Sequence, residues 1–160
     1  ALLAGIFLDT KSFNVRTGER TFEAAAVLRR LGADTVDVKR LMQSNFMETM
    51  SKYQIMNGAT MYRDEIAIVA MEEQVSRKLA AQAADDLLNI SGISASFVMY
   101  PHEDGVSISA RSIGDANVQM ILEPLGGGGN TATAGAQIKN CTVHEALEQL
   151  KCSIDQFYEE

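Results

Sequence analysis

The sequence predicts an α+β fold, in which helices flank an antiparallel-rich sheet. Residues 93–100 and 106–112 have the composition of strands, and the Asp104-Gly105 turn signal between them predicts a hairpin. Residues 143–157 carry a single apolar stripe at helical spacing, and residues 74–89 carry a second, shorter one. Strands and helices that follow each other this closely favour a single sheet covered by helices.

The first part of the chain is predicted to be helical. Residues 1–9 form an apolar run that fits a strand or a buried helix equally well. Residues 21–31 predict a helix, residues 34–43 a shorter one capped by Asp34, and residues 44–55 a third. The side chains predicted to pack inward are Phe22, Ala25, Ala26 and Leu28. For Phe46, Met47, Met50 and Tyr53, core or linker-helix packing is favoured over a cofactor site.

The turn signal Asn57-Gly58 marks the predicted boundary between two parts, residues 1–57 and residues 58–160. A chain of 160 residues, 46% hydrophobic and 22% charged, suits one compact domain or a small domain with a piece of another. The apolar start without an initiator Met suggests a fragment of a longer protein. No apolar run approaches the roughly 20 residues that cross a bilayer.

Three further elements are predicted in the second part. Residues 60–71 are expected to be extended, with a break at Arg63-Asp64, and residues 116–124 are expected to form a short helix. Thr142 and Glu145 have the spacing of a capping box at the start of the last helix. The apolar stripe of that helix comprises Val143, Ala146, Leu147, Leu150, Ile154 and Phe157.

Charge and cysteine content narrow the classes of function. A net charge of −7 argues against binding to long nucleic acids, since polyanions are repelled, but it is compatible with a small anion held by local donors. Cys141 and Cys152 would lie about 16 Å apart along a helix, too far for a disulfide. We therefore expect free thiols and a cytoplasmic location.

Four consecutive glycines, Gly126 to Gly129, are the most informative local feature. Glycine accepts positive φ and lets a ligand approach the main chain closely. Its N–H groups can form a nest for an anion, especially where a helix begins just after the run. A flexible linker is the alternative, although no Ser, Pro or charge run extends the flexibility on either side. We expect a tight loop with a phosphate as its ligand.

The strand at 106–112 carries the candidate partner of that loop. Ser107, Ser109 and Arg111 share one face, because side chains alternate along a strand. The planar guanidinium of Arg111 suits phosphate oxygens, and the hydroxyls of Ser109 and Ser112 are further donors. A solvated strand face is an equally good interpretation from sequence alone. One short helix separates this strand from the glycines, so the two can lie side by side.

Asp9 follows an apolar element and is interpreted first as a turn or cap residue. It could also be one ligand of a hard divalent metal, but one carboxylate is not a site. His102 and His144 have no second ligand at metal-binding spacing, and both are expected to be exposed and non-catalytic. The glycine run lacks the Lys-Ser or Lys-Thr of a Walker loop.

Taken together, these motifs resemble a known superfamily. Two segments near the start of the chain resemble the end of the DHH phosphoesterase domain. They are Leu3–Phe13 (LAGIFLDTKSF) and, after a spacer of two residues, Arg16–Phe22 (RTGERTF). Ile108–Ser112 (ISARS), Asn117–Gln119 (NVQ) and Leu125–Gly129 (LGGGG) resemble the DHH-associated domain that follows it. Within the superfamily the sequence is most similar to the cyclic-di-AMP phosphodiesterases of the GdpP type, and the resemblance covers almost the whole chain.

The resemblance implies a phosphodiesterase, a hydrolase that converts cyclic di-AMP to pApA with two manganese ions. It implies that Asp9 is the last metal ligand of the DHH domain and that the other ligands lie outside this chain, which alone is expected to be inactive. It implies that the second domain holds the substrate. The residues matched to substrate or phosphate binding are Ser109, Arg111, Ser112, Gly126, Gly127, Gly128, Gly129 and Asn130.

Asn130 departs from the pattern, because the family's glycine loop normally ends in His. Asn donates a hydrogen bond but carries no charge, which leaves the preferred substrate open. The alternatives are an oligoribonuclease or nucleoside-bisphosphate phosphatase of the same superfamily, and a non-catalytic nucleic-acid-binding module. The expected partner is a cyclic dinucleotide or a short oligonucleotide. A homodimer and a membrane-tethered parent protein are both left open.

Overall fold

The computed structural model describes residues 1–159 and separates the chain into two compact units, Ala1–Asn45 and a larger one that begins at Phe46. The predicted boundary after residue 57 stays a prediction. The helix that precedes it, α4 (Phe46–Asn57), belongs to the second unit, where it packs against α5 (Arg77–Leu87). Among the described residues, no helix has the length and apolar character needed to cross a membrane.

The first unit contains three helices, α1 (Leu2–Asp9), α2 (Glu19–Arg30) and α3 (Thr35–Leu41). The apolar run at the start of the chain is therefore a helix. The side chain of Asp34 accepts a hydrogen bond from the Val36 N–H at 2.8 Å, which confirms the predicted cap of α3. α1 contacts both of the other helices.

Part of the predicted inward packing in the helical region is wrong. Phe22 is 55% exposed and stacks on Phe13, with their ring centroids 5.2 Å apart, and Ala26 is exposed as well. In α4 the residues Phe46, Met47, Met50 and Tyr53 are exposed. The contact with α5 is instead made near the end of α4, where Ile55 is buried and Met56 packs beside it. Apolar spacing identified the helix but selected the wrong face.

The second unit is built on one six-stranded sheet with the order β1-β2-β3-β4-β6-β5. β2 and β3 run parallel, and the remaining neighbours are antiparallel, which confirms the predicted α+β class. The strands are β1 (Ala59–Tyr62), β2 (Ile66–Ala70), β3 (Ala95–His102), β4 (Gly105–Ser112), β5 (Gly128–Asn130) and β6 (Thr133–Lys139).

Two turns lie where the sequence predicts them. The break between β1 and β2 places Arg63 and Asp64 at positive φ, 50° and 62°. The β3–β4 hairpin closes with His102 opposite Gly105, as the Asp-Gly signal predicts.

Both thiols are free, and burial raises the pKa of Cys141.

Helices cover the two faces of the sheet unequally. α6 (Val118–Leu122) and α7 (Val143–Glu159) cover one face, where the larger core includes Phe97, Ile108 and Leu150. On the other face α4 and α5 bury a smaller core that includes Val69, Val98 and Tyr100 from β2 and β3. This second core takes no residue from β5 or β6, so that end of the sheet is left open on one side.

The start of α7 carries the predicted capping box. The Glu145 N–H donates to the Thr142 hydroxyl at 3.2 Å, and the Thr142 N–H donates to the Glu145 carboxylate at 2.8 Å. These backbone and hydroxyl donors hold the pKa of Glu145 below its usual value. The stripe that follows packs on the larger core as predicted.

Replacing the cap residue tests how much this box contributes. Thr142→Ala should lower the free energy of unfolding by about 1 kcal/mol, because the first turn of α7 loses a backbone hydrogen bond. Thr142→Ser keeps the hydroxyl and should remain near wild type in urea denaturation. Since the folded-state pKa of Glu145 is depressed, its contribution is full above the unfolded pKa of about 4.5 and is lost as the pH falls further. The penalty should therefore shrink in acid; a constant penalty from pH 7 to 3 would contradict the reciprocal bond.

Candidate ligand-binding groove

The uncovered end of the sheet forms a groove of about 960 Å³. Its floor is formed by β4, β6 and the glycines that lead into β5. One wall is formed by the segment before α5 and the first turn of that helix, including Ser76 and Arg77. The groove exists because α5 spans only part of the sheet.

The register of the strands places small residues in the middle of this floor. Ser109 of β4 lies opposite Gly135 of β6, which lies opposite Gly128 of β5. In the next row, Arg111 lies opposite Thr133, which is paired with Asn130. A ligand can therefore approach the main chain beside Ser109 with Arg111 at its flank.

Arg111 is held in place by the protein. Its Nε lies 3.2 Å from Oδ1 of Asp85 on α5, and its Nη1 donates to the Ala110 carbonyl at 2.8 Å. The side chain is 14% exposed, so little of its position is left to solvent. The remaining N–H groups of the guanidinium can still donate to an anion in the groove. Arg111 and the glycine run share this groove, as the predicted phosphate site requires.

The glycine run is more ordered than a loop. Gly126 adopts φ 74° and ends the 3₁₀ turn Glu123–Leu125, and Gly128 begins β5. No helix follows the run, contrary to one of the conditions considered for an anion nest. The N–H of Gly126 donates to the Glu123 carbonyl and the N–H of Gly127 donates to the Leu122 carbonyl. At least two of the four expected amide donors are therefore already used.

Gly127 and Gly128 have different roles. A Cβ on Gly127 would lie 2.8 Å from both the Gly135 carbonyl oxygen and the Leu122 Cβ, so this position is glycine for packing. A Cβ on Gly128 would meet nothing within 4 Å, and Gly128 lines the groove. Gly126 and Gly129 also line the groove, whereas Gly127 is not part of that surface.

Ser112 does not lie with the other predicted donors. It is buried, its position alternates with that of Arg111, and its hydroxyl donates to the Thr131 carbonyl at 3.0 Å. The residue secures the β5–β6 turn, and its predicted contact with phosphate is not supported by this placement. Asn130 stabilises the same turn, because its Oδ1 accepts from the N–H groups of Ala132 and Thr133 at 3.0 Å each. Its Nδ2 is the group left to donate.

Asp9 ends α1, and its carboxylate lies 3.7 Å from Nη1 of Arg16, with both side chains mostly exposed. Within residues 1–159, no three His, Cys, Asp or Glu side chains come together in a way that could hold a metal ion. The described residues therefore do not form a metal centre, and Asp9 provides one candidate ligand at most.

Sequence reasoning missed several residues of the groove. Arg77 and Lys139 line it, and so does His102, which was expected to be merely exposed. Nothing local distinguishes Arg77 or Lys139 from other surface cations, because Lys139 is placed by the pairing of β6 with β4 and Arg77 by the packing of α5 beside β4. The alternation of β3 and β6 is the one signal that could have placed His102 and Lys139 on the face of Arg111.

Comparison with protein families identifies the fold. Residues 64–160 match the DHHA1 domain, which is more than half of the chain. The chain belongs to the DHHA1 family. This confirms the expected DHH-associated domain, and it places Arg111, the glycine run and the whole groove inside the matched region.

Two curated relatives resemble the whole chain. The cyclic-di-AMP phosphodiesterase GdpP of Bacillus subtilis (strain 168) is 46% identical over 164 residues, and its namesake in Geobacillus thermodenitrificans (strain NG80-2) is 48% identical over 162. Each comparison covers 99% of this chain and 25% of the relative, so the chain spans about a quarter of their length.

A solved structure shares the fold of the DHHA1 chain. An exopolyphosphatase-related protein from Bacteroides fragilis has a TM-score of 0.81 at 18% identity, covering 95% of this chain and 48% of that one. This likeness supports the architecture and carries no information about the ligand.

The two neighbouring glycines provide a matched test of the architecture. Gly127→Ala should destabilise the DHHA1 domain by about 1–3 kcal/mol, because its methyl group meets main-chain and Cβ atoms that cannot move away cheaply. Gly128→Ala should have a free energy of unfolding within about 0.5 kcal/mol of the wild-type value in the same denaturation experiment. Equal effects of the two substitutions would show that the run is a flexible linker after all.

Proposed function

We propose that this chain is the substrate-binding part of a phosphodiesterase that hydrolyses cyclic di-AMP, and that the groove of the DHHA1 domain holds a phosphate of that substrate. The observation that carries the proposal is the placement of Arg111 beside a floor without side chains at Gly128 and Gly135. The names and the identity of the two curated relatives supply the substrate class.

The chemistry of the groove suits a phosphate diester. The guanidinium of Arg111 supplies charge-assisted hydrogen bonds to non-bridging oxygens, and the Ser109 hydroxyl supplies a neutral donor in the neighbouring row. Asp85 fixes the guanidinium before the ligand arrives, so little conformational entropy is lost on binding. Arg111 and Ser109 would bind and orient the phosphate and neutralise part of its charge during hydrolysis.

A metal centre is part of the proposal for the whole enzyme and not for these residues alone. We propose that Asp9 would hold one ion of a centre of two manganese ions, and that this centre would supply an activated water for hydrolysis. Because the described residues do not complete such a centre, its remaining ligands would have to come from elsewhere in the whole protein. The cytoplasmic location, the homodimer and the membrane tether of the parent protein remain predictions.

Removing the guanidinium tests the proposed role of Arg111. Arg111→Ala should weaken the binding of cyclic di-AMP at least tenfold, because one charge-assisted contact to phosphate contributes about 1.5–3 kcal/mol. Binding is measured by NMR titration, which reads weak affinities. Lys151→Ala on α7 is the matched control, since it removes a cation from the opposite side of the sheet and should have no effect. Unchanged affinity in a folded Arg111→Ala protein would contradict the proposal that Arg111 binds a phosphate of cyclic di-AMP.

The absence of a side chain at Gly128 in the groove floor can be tested separately. Gly128→Ala adds a methyl group where nothing in the protein opposes it, so stability should be retained while cyclic di-AMP affinity falls at least fivefold. The same titration measures this, with the thermal midpoint of unfolding recorded in parallel. Affinity equal to that of the wild type would mean that the ligand does not approach this main-chain segment.

A further inference from the structure

Three hydroxyl groups in the middle of the groove are not used by the protein itself. Tyr100, Ser107 and Ser109 line the groove and are only 3%, 6% and 7% exposed. Within the described part of the chain, none of these hydroxyls has a hydrogen-bond partner, and no fully enclosed side-chain oxygen or nitrogen lacks one. The three oxygens therefore remain in contact with the groove. Since buried polar groups are nearly always hydrogen-bonded, they indicate a polar ligand at this place.

Strand pairing adds a carboxamide to two of these hydroxyls. Tyr100 of β3 lies opposite Ser107 of β4, which lies opposite Gln137 of β6, and these three residues form what is here called the glutamine row. Gln137 is exposed, lines the groove and has no side-chain hydrogen bond to any described residue. The glutamine row is four residues from Arg111 along β4, or about 13 Å, and Ser109 lies halfway between. A phosphate held by Arg111 and Ser109 thus leaves its own nucleoside to extend over the glutamine row.

The direction of α5 determines what stands beside the glutamine row. α5 connects the parallel strands β2 and β3, so it runs opposite to them and in the direction of β4. Asp85 of α5 touches Arg111, and Arg77 lies eight residues earlier, about 12 Å back along the helix and so level with the row. Between them, on the same face of α5, the short side chain of Ala81 leaves room for a ligand. The planar guanidinium of Arg77 can stack on an aromatic ring that lies over the row.

The charges next to the glutamine row are mixed. A small recess at the hairpin adjoins the row and is lined by Glu103 and Asp104 as well as by His102 and Lys139. Carboxylates at this place offset the attraction of the cations for a second phosphate. The row itself offers hydroxyl and carboxamide groups, which are neutral donors and acceptors. It therefore suits an uncharged group that has donors and acceptors of its own, and in a nucleotide that group is the base.

We infer that the glutamine row binds an adenine base of the nucleotide whose phosphate lies at Arg111, and that Gln137 is the residue that selects adenine. The inference rests on the proposed function, because the phosphate position determines where the base lies. It adds a base-binding position and a specificity-determining residue to the groove.

The two faces of the carboxamide explain the choice of base. A glutamine side chain donates to N7 of adenine and accepts from its N6 amino group. Guanine presents two acceptors, N7 and O6, at the same edge, so the carbonyl of Gln137 would face O6 without a hydrogen bond. A polar group left unpaired in this way is what makes a site reject the wrong ligand. The hydroxyls of Tyr100 and Ser107 can each donate or accept, so they bind the remaining polar atoms of the base without selecting it.

The test compares two ligands that share a phosphate–sugar ring and differ in the base. Cyclic di-AMP and cyclic di-GMP are titrated by NMR into the wild-type chain, Gln137→Ala and Tyr100→Phe. Gln156→Ala is the matched control, because Gln156 is an exposed glutamine of α7, which covers the opposite face of the sheet. The thermal midpoint of unfolding is recorded for each variant. Tyr100→Phe keeps the buried ring and removes only the hydroxyl.

The wild type should prefer cyclic di-AMP, and Gln137→Ala should reduce that preference over cyclic di-GMP at least fivefold, whereas Gln156→Ala should leave it unchanged. Tyr100→Phe should weaken both ligands about threefold, because one neutral hydrogen bond is lost. A wild type without preference, or an unchanged preference in Gln137→Ala, overturns the base position. Arg111→Ala should weaken both ligands equally; if it binds cyclic di-AMP as the wild type does, or if neither ligand binds the wild type, the proposed function fails instead.

Discussion

The structure of the second unit depends on burying β3 from both sides. Residues 95–100 of this strand are buried, with Phe97 facing α7 and Val98 facing α5. This double cover fixes the order of the sheet around β3 and leaves β4 half covered, because α5 does not extend across β6. The groove is the direct consequence: a strand whose inner face is core also carries Ser109 and Arg111 on a face that no helix fills.

The ion pair between Arg111 and Asp85 holds the candidate phosphate-binding side chain against the helix that covers the sheet. A mostly buried guanidinium without a counter-charge would be costly, and Asp85 offsets that cost while fixing the orientation of the guanidinium. The same carboxylate lowers the attraction that an incoming anion feels at this end of the groove.

Local signals accounted for much of the fold. The capping box of α7, the Asp34 cap and the Asp-Gly hairpin each satisfy hydrogen bonds within a few residues, so the sequence carries them directly. The alternation that set Arg111 apart from Ile108 is equally local. Placing Lys139 required the pairing of β6 with β4, and placing Arg77 required the packing of α5 on the sheet. The exposed face of α4 required its packing on α5. Ser112 lies on the opposite face of β4 from Arg111, because neighbouring residues of a strand alternate, so grouping it with Arg111 as a phosphate donor does not agree with its placement.

The sheet ends in short strands at both edges, four residues in β1 and three in β5. An edge of this length exposes few free main-chain donors and acceptors, and β5 is followed at once by a turn fixed by Asn130. Such edges are poor templates for another chain's strand. A protein with a glycine-lined opening in its sheet can thereby resist pairing with another chain's strand without lysines along that edge, where their charge would alter the groove.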